Sequence, residues 1–143
     1  MAAPEKMEVT ILLVDDDPGH LRLIEKNLRR ASLTNPIVKM EDGQAALDYV
    51  NSQDGRQNLL MLLDLNMPVL NGYQVLEKLR ADNRTKRIPV IILTTTNDPR
   101  EVDRCYDLGC NVYVTKPVDY GQFSVAIQKL GLLLSVVSIP DRS

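Results

Sequence analysis

Two cysteines and one histidine are all the soft metal-ligand chemistry in this chain of 143 residues. Cys105 and Cys110 are too few for a disulfide framework, and no histidine cluster accompanies them to make a zinc site. They read as core or near-core thiols of a reduced protein. Long hydrophobic runs are also missing. The longest uncharged apolar stretch, Leu130 to Pro140, is well short of the ~20 residues that a membrane helix needs. The first residues, Met1 to Lys6, show no apolar run ahead of their charges, so no secretory signal is read there. Nor does one sign of charge dominate: 17 basic residues stand against 19 acidic ones, whereas a surface that grips nucleic-acid phosphates needs a basic face. The expectation is a cytoplasmic protein with no membrane and no nucleic-acid partner.

What is present is a regular alternation. Val9 to Val14, Leu59 to Leu63, Val90 to Leu93 and Val112 to Thr115 are apolar runs, and Ile37 to Met40 is a fifth strand candidate. Helical spacing separates them: Leu21, Ile24, Leu28 and Ala31; then Ala46, Leu47 and Val50; then Val75, Leu76 and Leu79; then Val102, Cys105 and Leu108. A last helix carries Phe123, Ile127, Leu130 and Leu134. Asp17-Pro18 and Asp98-Pro99 are helix-start signals, Asn71-Gly72 reads as a loop break, and Gly109 as a helix stop. Wholly apolar strands joined by helical crossovers predict an α/β fold, a parallel sheet with helices on both faces. The predicted boundaries are a tail over 1–8, one domain over 9–134 and an extension over 135–143.

In such a sheet ligands bind at the carboxyl ends of the strands. Those ends carry Asp15-Asp16-Asp17, Asp64, Thr94 and Lys116, each a polar group directly after an apolar run. Three crowded carboxylates raise one another's pKa unless a cation joins them. An all-oxygen donor set suits a hard ion that keeps several waters, which favours Mg²⁺. A carboxylate nucleophile flanked by a metal, an ammonium and a hydroxyl is what acyl phosphate formation requires.

The motifs Val14-Asp15-Asp16-Asp17-Pro18, Leu63-Asp64-Leu65-Asn66-Met67-Pro68, Ile92-Leu93-Thr94-Thr95 and Tyr113-Val114-Thr115-Lys116-Pro117 resemble those of response-regulator receiver domains. The resemblance spans about Val9 to Leu134. It implies a flavodoxin-like five-stranded sheet in the order 2-1-3-4-5. It also implies a signalling protein rather than an enzyme, phosphorylated on Asp64 by a sensor histidine kinase. Asp16, Asp64 and the backbone carbonyl of Asn66 would ligate Mg²⁺, with Asp15 acting through a bound water. Thr94 and Lys116 would contact the phosphoryl oxygens, and Tyr113 would be the switch that follows Thr94. The bond before Pro117 would be cis. Asp17-Pro18-Gly19-His20, Thr94-Thr95-Thr96 and the tail Ser135 to Pro140 are similar to single-domain regulators paired with phytochrome-type kinases. The signal would leave by protein–protein contact or phosphorelay.

Plainer roles compete at several positions. Asp17 suits a helix N-cap, and His20, one turn into a helix, a solvated surface residue. Tyr113 could equally be sheet packing, and Arg84, Lys86 and Arg87 a solvated loop. A haloacid-dehalogenase-type phosphohydrolase with Asp15 as nucleophile would explain Asp15-Asp16-Asp17, but it leaves Asp64 without a role. A flavin site would need a hydroxyl- and glycine-rich loop where three aspartates stand. The uncharged stretch from Leu130 predicts homodimerisation through the face of the fourth and fifth helices and the tail.

Overall fold

A computed structural model of the chain describes residues 9–30, 33–52 and 58–116, together with 121 and 125. Among these residues the elements are β1 (Val9–Val14), α1 (Pro18–Arg30), β2 (Ile37–Met40), α2 (Gly43–Ser52), β3 (Asn58–Asp64), α3 (Gly72–Ala81), β4 (Val90–Thr94), α4 (Pro99–Asp107) and β5 (Val112–Thr115). The expected last helix, the tail surface offered for dimerisation, Ala31 and Pro117 lie outside the described residues.

All four strand pairings are parallel, in the order β2-β1-β3-β4-β5. This is the flavodoxin-like order. Because successive side chains point to opposite faces, each central strand feeds two cores. Leu12, Val14, Met61, Leu63, Val90 and Ile92 pack with Ala46, Leu47 and Val50 of α2 and Val75, Leu76 and Leu79 of α3. Ile11, Leu13, Leu60, Leu62, Ile91 and Leu93 pack with Leu21, Ile24 and Leu28 of α1. Burial on both faces is why these strands show no apolar–polar alternation.

Two local expectations change. Asn71-Gly72 does not sit inside a loop but opens α3. The Asn71 side chain accepts from the Gln74 N–H, the Gln74 side chain accepts from the Asn71 N–H, and Gly72 is the first helical residue. Of the stripe expected to face inward on α4, Cys105 is fully buried, whereas Val102 and Leu108 are partly exposed. That helix lies beside β5, at the sheet edge, where fewer neighbours surround it. Asp98 does cap it, accepting from the Arg100 N–H. Asp17 likewise accepts from the backbone N–H groups of Gly19 and His20 at the start of α1. No described helix is long and apolar enough to cross a membrane.

Candidate functional site

The register that aligns the strands also aligns their ends. Val14 pairs with Leu63, Asp64 with Leu93, and Thr94 with Thr115. The next residue after β1, the last residues of β3 and β4, and the residue after β5 therefore share one rim. There, carboxylate oxygens of Asp15, Asp16 and Asp64 lie within 4.8 Å of one another. Asp15 and Asp64 are buried and Asp16 is exposed. A hard cation fits this set, because every donor is oxygen and one side is open to the waters such an ion retains.

Among the described residues, Lys116 brings a positive charge into the cluster. Its ammonium donates to Asp15 Oδ2 at 2.6 Å and lies 3.3 Å from Asp64 Oδ1. The Lys116 backbone N–H donates to the Thr94 carbonyl at 2.6 Å, which ties the end of β5 to the end of β4. Asp15 is further held by the Asp17 N–H, which donates to its Oδ1 at 2.9 Å. Three carboxylates against one ammonium leave two negative charges in excess. Burial, and after it the neighbouring Asp15, holds the Asp64 carboxyl above the ordinary carboxylate value. The Lys116 ammonium and the Asn66 backbone N–H pull the other way and do not prevail.

Thr94 is fully buried at the end of β4, and its hydroxyl lies 3.4 Å from the Thr96 N–H. Tyr113, two residues before the last pairing of β5, donates its hydroxyl to the Thr96 carbonyl. Burial pushes its phenol up to about 12, so the hydroxyl stays a donor at neutral pH. Asn66 is exposed in the β3–α3 loop. That loop turns at Val69, whose φ is 66° and whose side chain is fully exposed; the Leu70 N–H donates back to the Pro68 carbonyl at 2.7 Å, closing a γ-turn.

Two contacts at this rim escaped the sequence. His20 is exposed, as expected of a surface residue, but it has partners: its Nδ1 is 3.1 Å from the Lys116 ammonium and 3.5 Å from Asp15 Oδ2. The Thr96 carbonyl, as the acceptor for Tyr113, is a main-chain atom that no residue type announces. Of the basic trio, Arg84 is exposed but paired with Asp82 at 3.1 Å.

The family described as "Response regulator receiver domain" matches residues 11–128. A solved receiver domain from Rhodospirillum rubrum is 48% identical with a TM-score of 0.74, covering 92% of this chain and 96% of that one. The bacteriophytochrome response regulator RtBRR is 38% identical with a TM-score of 0.80, covering 93% of this chain and 84% of that one. A phosphorylated cyanobacterial phytochrome response regulator, RcpA, is 31% identical with a TM-score of 0.74, covering 94% of this chain and 99% of that one.

Proposed function

The chain belongs to the response regulator receiver domain family, and from that premise we propose that it accepts a phosphoryl group from a sensor histidine kinase onto Asp64. The observation that carries the reading is the rim itself: Asp15, Asp16 and Asp64 within 4.8 Å, the Lys116 ammonium between two of them, and Thr94 at the end of the adjoining strand. That a similar regulator has been solved in a phosphorylated state supports it.

A carboxylate oxygen of Asp64 attacks the phosphorus of the donor phosphohistidine. The phosphorus–nitrogen bond breaks as the new phosphorus–oxygen bond forms, and its electron pair leaves on the imidazole. Asp16, Asp64 and the Asn66 carbonyl would hold Mg²⁺, with Asp15 acting through a bound water, and the ion, when bound, would neutralise charge on the transferring oxygens. Lys116, already within reach of Asp64, turns its ammonium to a phosphoryl oxygen. The Thr94 hydroxyl donates to another, and Tyr113 reports that movement through Thr96 to the outer face of β5.

The partner is a kinase of the phytochrome-linked type, the class named for two of the similar regulators. Output passes by contact or relay, with homodimerisation through the face of the fourth and fifth helices together with the C-terminal tail. A phosphohydrolase with Asp15 as nucleophile is disfavoured because it leaves Asp64, buried on the same rim and faced by the Lys116 ammonium at 3.3 Å, without a role.

The test is incubation with acetyl phosphate and Mg²⁺ followed by intact-mass measurement. One added phosphate is expected on the wild-type chain, none on Asp64→Asn, and none after chelation. Full labelling of Asp64→Asn, or a phosphate mapped to Asp15, overturns the assignment.

A further inference from the structure

An ammonium has three N–H donors and no acceptor. At Lys116 three acceptors surround it: Asp15 Oδ2 at 2.6 Å, His20 Nδ1 at 3.1 Å and Asp64 Oδ1 at 3.3 Å. Two of these belong to the acidic cluster already described. The third comes from a different element, the first turn of α1, and from the lone histidine of the chain. His20 is about half exposed, yet its backbone is tied to Asp17 and its ring faces partners on two sides. Its backbone N–H donates to Asp17 Oδ1 at 3.3 Å, its Nδ1 faces Lys116, and its Nε2 lies 3.5 Å from Asp17 Oδ2. Nδ1 accepts a hydrogen bond from an ammonium only when it is the unprotonated nitrogen. That choice places the ring hydrogen on Nε2, the side that faces the Asp17 carboxylate.

Resting on the assignment of Asp64 as phosphoacceptor, we propose that His20 is a positioning residue for Lys116 in phosphoryl transfer. The two carboxylate contacts cannot hold the ammonium through the reaction. Asp64 gives an oxygen to the new phosphorus–oxygen bond, and Asp15 turns to the metal-bound water. His20 Nδ1 is a contact outside the carboxylate cluster, and its covalent bonding does not change as the phosphoryl group arrives. It holds the ammonium at the rim, on the side from which the donor approaches, instead of letting it settle onto the carboxylates. Without it the third N–H is left to water and the ammonium draws closer to Asp15, where it competes with the cation.

The geometry specifies the acceptor atom, so the substitutions separate positioning from bulk. An asparagine at this position offers Oδ1 close to where His20 carries Nδ1, whereas a leucine of similar size offers nothing. His20→Leu is expected to slow labelling by acetyl phosphate at saturating Mg²⁺ about three- to tenfold, the scale of one partly solvated hydrogen bond to a charged group. His20→Asn is expected to recover most of that loss. In a Lys116→Met background, where labelling is already impaired, His20→Leu should slow it no further. In the metal-free protein, the side-chain ammonium NMR signal of Lys116 should broaden in His20→Leu and sharpen again in His20→Asn. Two outcomes overturn the proposal: wild-type labelling kinetics in His20→Leu, or an equal slowing by His20→Leu with and without Lys116. Failure of the underlying assignment reads out separately, as labelling that survives Asp64→Asn whatever stands at position 20.

Discussion

Gly72 is where the packing of the fold and the placement of Asp64 meet. A Cβ at this position would stand 2.4 Å from the Asp64 carbonyl oxygen and 2.7 Å from the Leu65 Cα, where ordinary contact begins at 3.4 Å. Both obstacles are main chain, and one of them is the last residue of β3, held between β1 and β4. No rotamer change can relieve the clash, so α3 must retreat by about 1 Å, and overpacking of this kind costs about 3 kcal/mol. The retreat also lengthens the bond from the Gly72 N–H to the Leu65 carbonyl, now 3.0 Å, at about 1 kcal/mol. The better helix propensity of alanine returns about 1 kcal/mol. Gly72→Ala is thus expected to destabilise the protein by about 3 kcal/mol, a fall in Tm of about 10 °C. Urea unfolding followed by circular dichroism measures it. The labelling rate of the folded fraction should fall as well, because the strain is delivered to the Asp64 main chain. A midpoint unchanged from wild type refutes the reasoning, since nothing but a real overlap makes alanine worse than glycine in a helix.

Val69→Asn should act in the opposite direction. Asparagine tolerates the left-handed backbone that Val69 adopts at φ 66°, so a gain of about 1 kcal/mol in urea unfolding is expected, and a loss would contradict the γ-turn. A third expectation concerns pH. The raised Asp64 carboxyl makes the native state bind its proton more tightly than the unfolded chain, whose ordinary value is 3.8. This contribution is fully present below that value and is lost as pH rises through the raised native one. Metal-free wild type should therefore lose stability relative to Asp64→Asn as pH climbs from about 3.8 toward neutrality, and parallel urea midpoints of the two proteins would contradict it. At neutral pH, Mg²⁺ at ten times its dissociation constant should return about 1.4 kcal/mol to the wild type and much less to Asp64→Asn.

The parts of this molecule that the sequence announces are those in which residue type and position carry the same message. Three of the five strands, β1, β3 and β4, are apolar runs because they are buried on both faces, and the polar residue that ends or follows a strand marks the rim. Asp15, Asp16, Asp64, Thr94 and Lys116 could therefore be placed on one edge before any coordinates. His20 could not. Its spacing from Asp17 locates it on the first turn of α1, but its contact with Lys116 spans 96 residues of sequence and depends on how α1 leans over the sheet end. Asn71-Gly72 misled for a different reason. The pair is common in turns, yet asparagine is equally suited to an N-cap and glycine to a close approach, and only the tertiary contact with Asp64 selects between them. Val69 gave no signal at all, since a β-branched side chain is the last choice for a positive φ.

Apart from His20, these unannounced features share one segment, the connection from β3 to α3, and one consequence. Leu65 and Met67 are buried, Gly72 is pressed against Asp64, and Val69 is held in a γ-turn it does not favour. Between these anchors, only two residues beyond Asp64, stands Asn66, exposed, with its N–H turned to the Asp64 carboxylate. A loop pinned at both ends and strained in the middle has few alternative conformations, so the Asn66 main chain stays aligned with Asp64 without being packed itself. Opposite it, α4 is seated with one fully buried side chain, tied to α3 by the Tyr73 hydroxyl donating to Glu101 at 3.0 Å and by Arg104 lying 3.9 Å from the Tyr73 ring centre. The closely anchored side of the rim is the one that holds Asp64; the lightly packed side is the one that Thr96 and Tyr113 join to it. On the proposed function, a change of charge at Asp64 is therefore expected to be taken up through β4 and β5 toward α4 rather than in the β3–α3 loop.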